Sequence, residues 1–150
     1  RRLQADARGE DYRGFEYYGR TKLADLLLSR ELERHFLARH VDAISVAAHP
    51  GFTATGIVGS GFAALPPFAH RIAAAATRVL GQSVASGALP ILYAATAREV
   101  RGSQFFGPSW LFELRGPPAQ AARSAASRSD ELGEILLHFV EEHTGISAPE

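Results

Sequence analysis

The chain of 150 residues contains no cysteine and no methionine, one tryptophan, and a single lysine among its 16 basic side chains. Without cysteine there is no disulfide framework, no thiolate nucleophile and no cysteine-based metal site. Neither sign of charge is in excess. Sixteen basic and 16 acidic residues give a formal net charge of zero, which leaves no basic footprint for a phosphate backbone and no acidic tail, so a nucleic-acid partner is not expected. Long apolar runs are missing too. Crossing a bilayer takes about 18 or more such residues, and the apolar stretch 61–80 is broken by Pro66, Pro67, His70, Arg71 and Arg78. No integral membrane segment is therefore expected. No secretory leader is readable, and a cytoplasmic location is the expectation. A chain that begins Arg1-Arg2-Leu3 and lacks Met reads as a processed or partial one.

What is present is ordinary for a soluble globular protein. Hydrophobic residues make up 46%, with 14 Gly and 8 Pro, which points to one compact domain or part of one. From about Glu16 to Arg39 the pattern predicts a long helix, with Ala24, Leu28, Leu32 and Phe36 in one stripe and Leu23, Leu26 and Leu27 widening it early. Its first half reads as the more buried. The later turns, with Arg30, Glu31, Glu33, Arg34 and His35, read as emerging into solvent. Ala43 to Ala48 is a short apolar run closed by His49-Pro50-Gly51, the signature of a buried strand ending in a turn. Thr53 to Gly61 reads as loop and Pro67 to Leu80 as helix. Another helix is expected from near Ser83, kinked or limited by Pro90. Ser103 to Phe106 is a second strand candidate, stopped by Gly107-Pro108. The stretch from Gly116 to Arg128, rich in Pro, Ala, Ser and Arg, reads as a surface linker. Last comes an amphipathic helix with Leu132, Ile135, Leu136, Phe139 and Val140 on one face, Asp130 near its start and Gly145 past its end.

A long helix feeding a buried strand is half of a βαβ unit. About four helices and two strands are therefore expected, belonging to the C-terminal part of a doubly wound, Rossmann-type α/β sheet. Two short strands are too few for a stable sheet, so the missing ones are expected upstream of Arg1. The 150-residue chain by itself is expected to be poorly stable and inactive, with an unpaired sheet edge.

Tyr18 and Lys22 stand four residues apart at the start of the long helix, so they project from one face. A phenol with its ordinary pKa near 10 exchanges protons poorly at neutral pH, and an ammonium beside it favours the phenolate. Tyr-x-x-x-Lys on a helix is thus a plausible general acid/base pair. With four Tyr and one Lys, chance places a Tyr at that spacing about 3% of the time. Retention of one Lys in a chain that otherwise uses Arg adds weight, because Arg cannot replace a compact, titratable ammonium.

Tyr18-Gly19-Arg20-Thr21-Lys22-Leu23-Ala24, then Ile44 to Gly51, then Thr55, and downstream Gly107 to Gly116 with the terminal helix, together resemble the short-chain dehydrogenases/reductases. Within them the sequence is similar to the branch of retinol dehydrogenases and protochlorophyllide reductases. The resemblance implies an NAD(P)(H)-dependent oxidoreductase that interconverts a carbonyl and an alcohol on a small-molecule substrate, here bulky and apolar, and it leans toward NADP(H). Tyr18 would give or take the substrate proton. Lys22 would assist it and hydrogen-bond the nicotinamide ribose. Pro50, Gly51 and Phe52 would line the nicotinamide, with backbone groups on its carboxamide, and the Thr55 hydroxyl would contact the carboxamide or a phosphate. Strand ends are where open α/β sheets bind cofactors. The family's glycine-rich loop, its Asn-Ala-Gly strand end and its catalytic Ser precede the Tyr and are not identifiable in this sequence. A truncated remnant or binding module without nicotinamide binding is the alternative reading.

Rival sites are weaker. Thr55-Gly56-Ile57-Val58-Gly59-Ser60-Gly61 imitates a dinucleotide loop but is one residue short and opens no helix at its first glycine. His35/His40 and His138/His143 are each spaced five apart, which splays them, so no metal site is expected. Gly59-Ser60-Gly61 lacks the strand and helix of a nucleophile elbow. His49 reads as a strand-end residue with a satisfied hydrogen bond. Tyr17 has only Thr21 at the i+4 position and reads as a packing aromatic. Trp110 is left between core and interface. The long helix offers a surface for a homo-oligomer, though its charged second half favours solvent.

Overall fold

The computed structural model describes residues 14–53 and 81–146. Thr55, most of the expected loop after Thr53, and the expected helix from Pro67 to Leu80 lie outside the described residues. The chain divides into two compact units, one of residues up to Val41 together with those from Ser124 onward, the other Asp42–Arg123.

The first unit holds α1 (Gly14–Ala38), a 3-10 turn (Ala126–Arg128) and α2 (Asp130–Thr144). Their ends follow the local chemistry. Ser129 caps α2 by accepting the Leu132 N–H, Asp130 and Glu131 occupy the first turn, and Gly145 closes it in the left-handed region at φ 68°. Where α1 is buried differs from expectation. Leu27, Glu31 and Glu33 are buried, whereas Tyr18 is 60% exposed, so the protected part lies in the middle and later turns. The cause is the element packed there. Arg30 meets Asp130 at 2.5 Å and the Arg128 carbonyl, while Arg34 binds both Glu31 oxygens at 3.0 and 3.1 Å and reaches Glu134 at 3.5 Å. Gly133 makes the approach possible, because a Cβ there would stand 2.2 Å from Glu31 Oε1. The charges expected to face solvent are what join the helices. The apolar stripe of α2 is only partly covered, with Ile135 58% and Phe139 38% exposed.

The second unit is a small α/β arrangement, with β1 (Ala47–Ala48), α3 (Val84–Thr96), β2 (Phe105–Trp110) and β3 (Arg115–Gln120). Its sheet is mixed, in the order β1-β2-β3, with β1 parallel to β2 and β2 antiparallel to β3. Ladder bonds extend beyond the short formal β1, from the Ser45 carbonyl, which accepts Ser103 N–H, to His49 N–H, which donates to the Phe106 carbonyl. Ala94, Val100 and Phe106 form the core, with Val46, Ala48, Tyr93 and Ala97 packed against them.

Four sequence expectations are corrected here. Three strands stand among the described residues rather than two. Gly107-Pro108 does not stop β2, and the stretch from Gly116 is not a linker, since β3 occupies Arg115–Gln120. The reason lies in the register. Ala121 N–H donates to the Phe105 carbonyl at 2.8 Å, so the pairs that exchange hydrogen bonds alternate from there, and Pro108 falls opposite Pro118 at a non-exchanging pair. Two prolines, neither with an N–H, lose no ladder bond in that place. Pro90 likewise sits buried inside an uninterrupted α3 instead of limiting it. Ser83 caps that helix as its position suggested, accepting the Ser86 N–H.

Candidate functional site

α1 delivers Tyr18 and Lys22 to one face. Lys22 Nζ lies 5.7 Å from the centre of the Tyr18 ring, within cation–π range. Both side chains are exposed, Tyr18 at 60%, and so are open to a ligand. Lys22 has a partner that sequence reasoning missed. Its ammonium donates to Asp25 at 2.8 Å, and this hydrogen bond, with the attraction of the same carboxylate and a smaller contribution from Tyr18, raises the Lys22 pKa above its ordinary 10.5. The signal was present as an acid at i+3. Tyr17, read as a packing aromatic, carries the Arg20 guanidinium over its ring at 5.3 Å.

The second unit positions Pro50, Gly51 and Phe52 as a turn directly after β1. Gly51 has φ 65°, and a Cβ there would meet the Leu114 carbonyl oxygen at 2.5 Å and Pro108 Cγ at 2.6 Å, so glycine is required by conformation and by space together. The turn's polar groups are occupied within the chain. Gly51 N–H donates to His49 Nδ1 at 3.2 Å and Phe52 N–H to the Leu114 carbonyl at 2.7 Å. The buried Gln82 donates its side-chain amide to the Pro50 carbonyl at 2.7 Å and its backbone N–H to the Phe52 carbonyl at 2.9 Å, while its amide oxygen accepts Gly116 N–H at 3.2 Å. Gln82 is thus the tie between this turn and β3. No short motif announced it, because it acts across more than 30 residues of sequence.

The β2–β3 connection closes the far side of the turn. Leu111, Phe112 and Glu113 all lie in the left-handed region, at φ 50°, 56° and 65°. For residues with a Cβ this conformation costs on the order of 1–2 kcal/mol each. Glu113 uses it to bring one carboxylate oxygen to Ala122 N–H at 2.7 Å and the other to 3.3 Å from His49 Nε2. Phe112 and Trp110 are left exposed, at 99% and 60%, which answers the question of Trp110: it is not a core residue.

The structure therefore groups Tyr18 with Lys22, and Pro50 with Gly51 and Phe52, in separate units; Thr55 lies outside the described residues. No group of three or more candidate metal ligands occurs among the described residues, and none of their helices is long and apolar enough to cross a membrane.

Comparison with known proteins bears on what these groups are. No protein-family model matches the chain. A short chain dehydrogenase/reductase, dpmpH of Macrophomina phaseolina, is 31% identical over 125 residues, 83% of this chain. The chain spans only 57% of that relative's length. Among solved structures, an uncharacterized protein from Mycobacterium paratuberculosis superposes with a TM-score of 0.67 at 26% identity, over 93% of this chain and 42% of the other. The identity to the fungal protein runs over most of the sequence whose Tyr and Lys α1 sets side by side, and the chain belongs to the short-chain dehydrogenase/reductase family.

Proposed function

We propose that the protein to which this chain belongs is an NAD(P)-dependent oxidoreductase that interconverts a carbonyl and an alcohol, with Tyr18 as the proton donor or acceptor. The observation that carries the reading is the pairing of Tyr18 and Lys22 on one exposed helix face, in a chain of this family. Tyr18 Oη would give its proton to the substrate carbonyl oxygen, or take one from the alcohol. Lys22, kept protonated by Asp25, supplies the positive charge that favours such a transfer, and its remaining donor hydrogens can reach ribose hydroxyls. The nicotinamide cofactor supplies or accepts the hydride.

The turn after β1 fits a wall for the nicotinamide, at the strand end where such sheets bind cofactors. Its contribution is narrower than sequence alone suggests. Proline has no N–H, and the amides of Gly51 and Phe52 already donate within the chain, so these three residues would meet a carboxamide through the Gly51 carbonyl and the second lone pairs of the Pro50 and Phe52 carbonyls, which already accept from Gln82. Thr55 would add its hydroxyl. A bulky, apolar substrate and a preference for NADP(H) come from the resembling branch, and these stand as parts of this proposal together with a cytoplasmic location and assembly as a homo-oligomer.

The test is Tyr18→Phe in the full-length protein. Turnover should fall by about 100-fold or more, while binding of NADH or NADPH stays within a few-fold of the unaltered protein. Retained turnover would remove Tyr18 from its role. A full-length protein that binds neither nucleotide would favour the non-catalytic alternative.

A further inference from the structure

His49 and Glu113 are 64 positions apart in sequence, outside the Tyr and Lys pair, and the family reading gives neither a role. In the fold they are linked in series to the turn. The His49 ring packs flat enough against Gly107 that a Cβ at that glycine would come within 2.8 Å of three ring atoms, and it lies 5.1 Å from the Phe105 ring. Because Nδ1 accepts the Gly51 N–H, the ring proton of neutral His49 resides on Nε2, which is buried without a hydrogen-bond partner and stands 3.3 Å from the Glu113 carboxylate, the charged group it approaches. Glu113 is itself held by Ala122 N–H and by three consecutive left-handed residues. Backbone strain sustained by its surroundings is typical of positions that serve a site.

We propose that Glu113 and His49 are positioning residues for the nicotinamide: Glu113 sets the orientation and tautomer of the His49 ring, and the ring fixes the Gly51 amide and so the surface of the Pro50–Phe52 turn. The inference rests on the reading of that turn as a cofactor wall. Its chemical basis is a close electrostatic contact of the carboxylate with the Nε2 side of the ring, followed by the hydrogen bond that Nδ1 accepts from the Gly51 amide, in which loss of the first lets the ring flip and withdraw the second.

The experiment uses the full-length protein with Glu113→Ala, Glu113→Gln and His49→Phe, the last keeping a ring of similar volume should the alanine variant fail to fold. Amide hydrogen exchange at Gly51, without nucleotide, and the KM and kcat for NADH and NADPH are measured. Glu113→Ala and His49→Phe should each speed exchange at Gly51 by about ten-fold or more. They should raise the nucleotide KM by about five-fold or more, with the smaller change in kcat. Glu113→Gln, whose amide oxygen can stand against Nε2–H in the same place, should lie within about two-fold of the parent on both measures. Unchanged exchange at Gly51 overturns the proposal, as does a Gln variant as impaired as the Ala one, or a KM that does not move while exchange does. Failure of the unaltered protein to bind either nucleotide is a different result: it removes the cofactor wall and with it the role proposed here, even where exchange at Gly51 responds.

Discussion

Replacing Gly51 with alanine separates two costs that the structure combines at one position. A Cβ on a residue at φ 65° costs about 1–2 kcal/mol for the left-handed conformation alone. At Gly51 the same Cβ would also stand 2.5 and 3.0 Å from the carbonyl oxygens of Leu114 and Glu113. Those are backbone atoms pinned by Phe52 N–H and by the strained connection, and forcing such an overlap costs about 1–3 kcal/mol more. Stiffening of the unfolded chain returns about 0.4–1 kcal/mol. The expected net loss is about 1–5 kcal/mol, of which about 1–3 kcal/mol comes from the overlap alone. Gly145 provides the internal control. It has φ 68° and nothing within 4 Å of its would-be Cβ, so Gly145→Ala should lose only about 1 kcal/mol. Urea unfolding of the full-length protein, with m-values checked for equality, measures both variants. If Gly51→Ala lies within about 0.5 kcal/mol of Gly145→Ala, the close approach of residues 113 and 114 to the turn is refuted.

Gly133→Ala offers the opposite balance, since alanine gains about 1 kcal/mol in a helix but its Cβ would press on the buried Glu31 carboxylate, at a cost of about 1–3 kcal/mol. The variant should be less stable by urea unfolding, and the sign should reverse in a Glu31→Ala background. Tyr93 donates to Glu99 at 2.6 Å, a hydrogen bond that lowers the Glu99 pKa and raises that of Tyr93. The Glu99 contribution to stability is present above the ordinary carboxylate range and lost as pH falls through the lowered value; that of Tyr93 is present below pH about 10 and lost as pH rises through its raised value. In Tyr93→Phe the Glu99 titration, followed by carboxyl-carbon NMR, should move back up toward ordinary carboxylate values.

Much of the local structure was legible. Ser83 and Gly145 marked helix ends because caps are satisfied by residues within one turn, while the last helix, read as starting near Asp130, is capped by Ser129 just before it. Tyr18 and Lys22 were legible for a similar reason: a spacing of four on a helix is a distance in space. Asp25 obeyed the same rule and was there to be read. The second strand pair was not. Pro117 and Pro118 argue for a linker on local grounds, and only the register, which sets Pro118 opposite Pro108, shows that β3 tolerates the missing N–H of Pro118. The burial of α1 was misjudged because a charged turn reads as solvent until its partners on α2 are known.

By itself, then, the sequence determined the described helices, the apolar run of β1 and the side-by-side placement of Tyr18 and Lys22, all consequences of neighbours within about one helical turn. Tertiary structure alone decided that Gln82, His49 and Glu113 converge on the turn at Gly51, that β3 exists, and that Glu31 is buried against Gly133. The first and last depend on groups more than 30 residues apart, and β3 on a pairing whose register no local pattern sets, so no periodicity in the chain encodes which group will arrive.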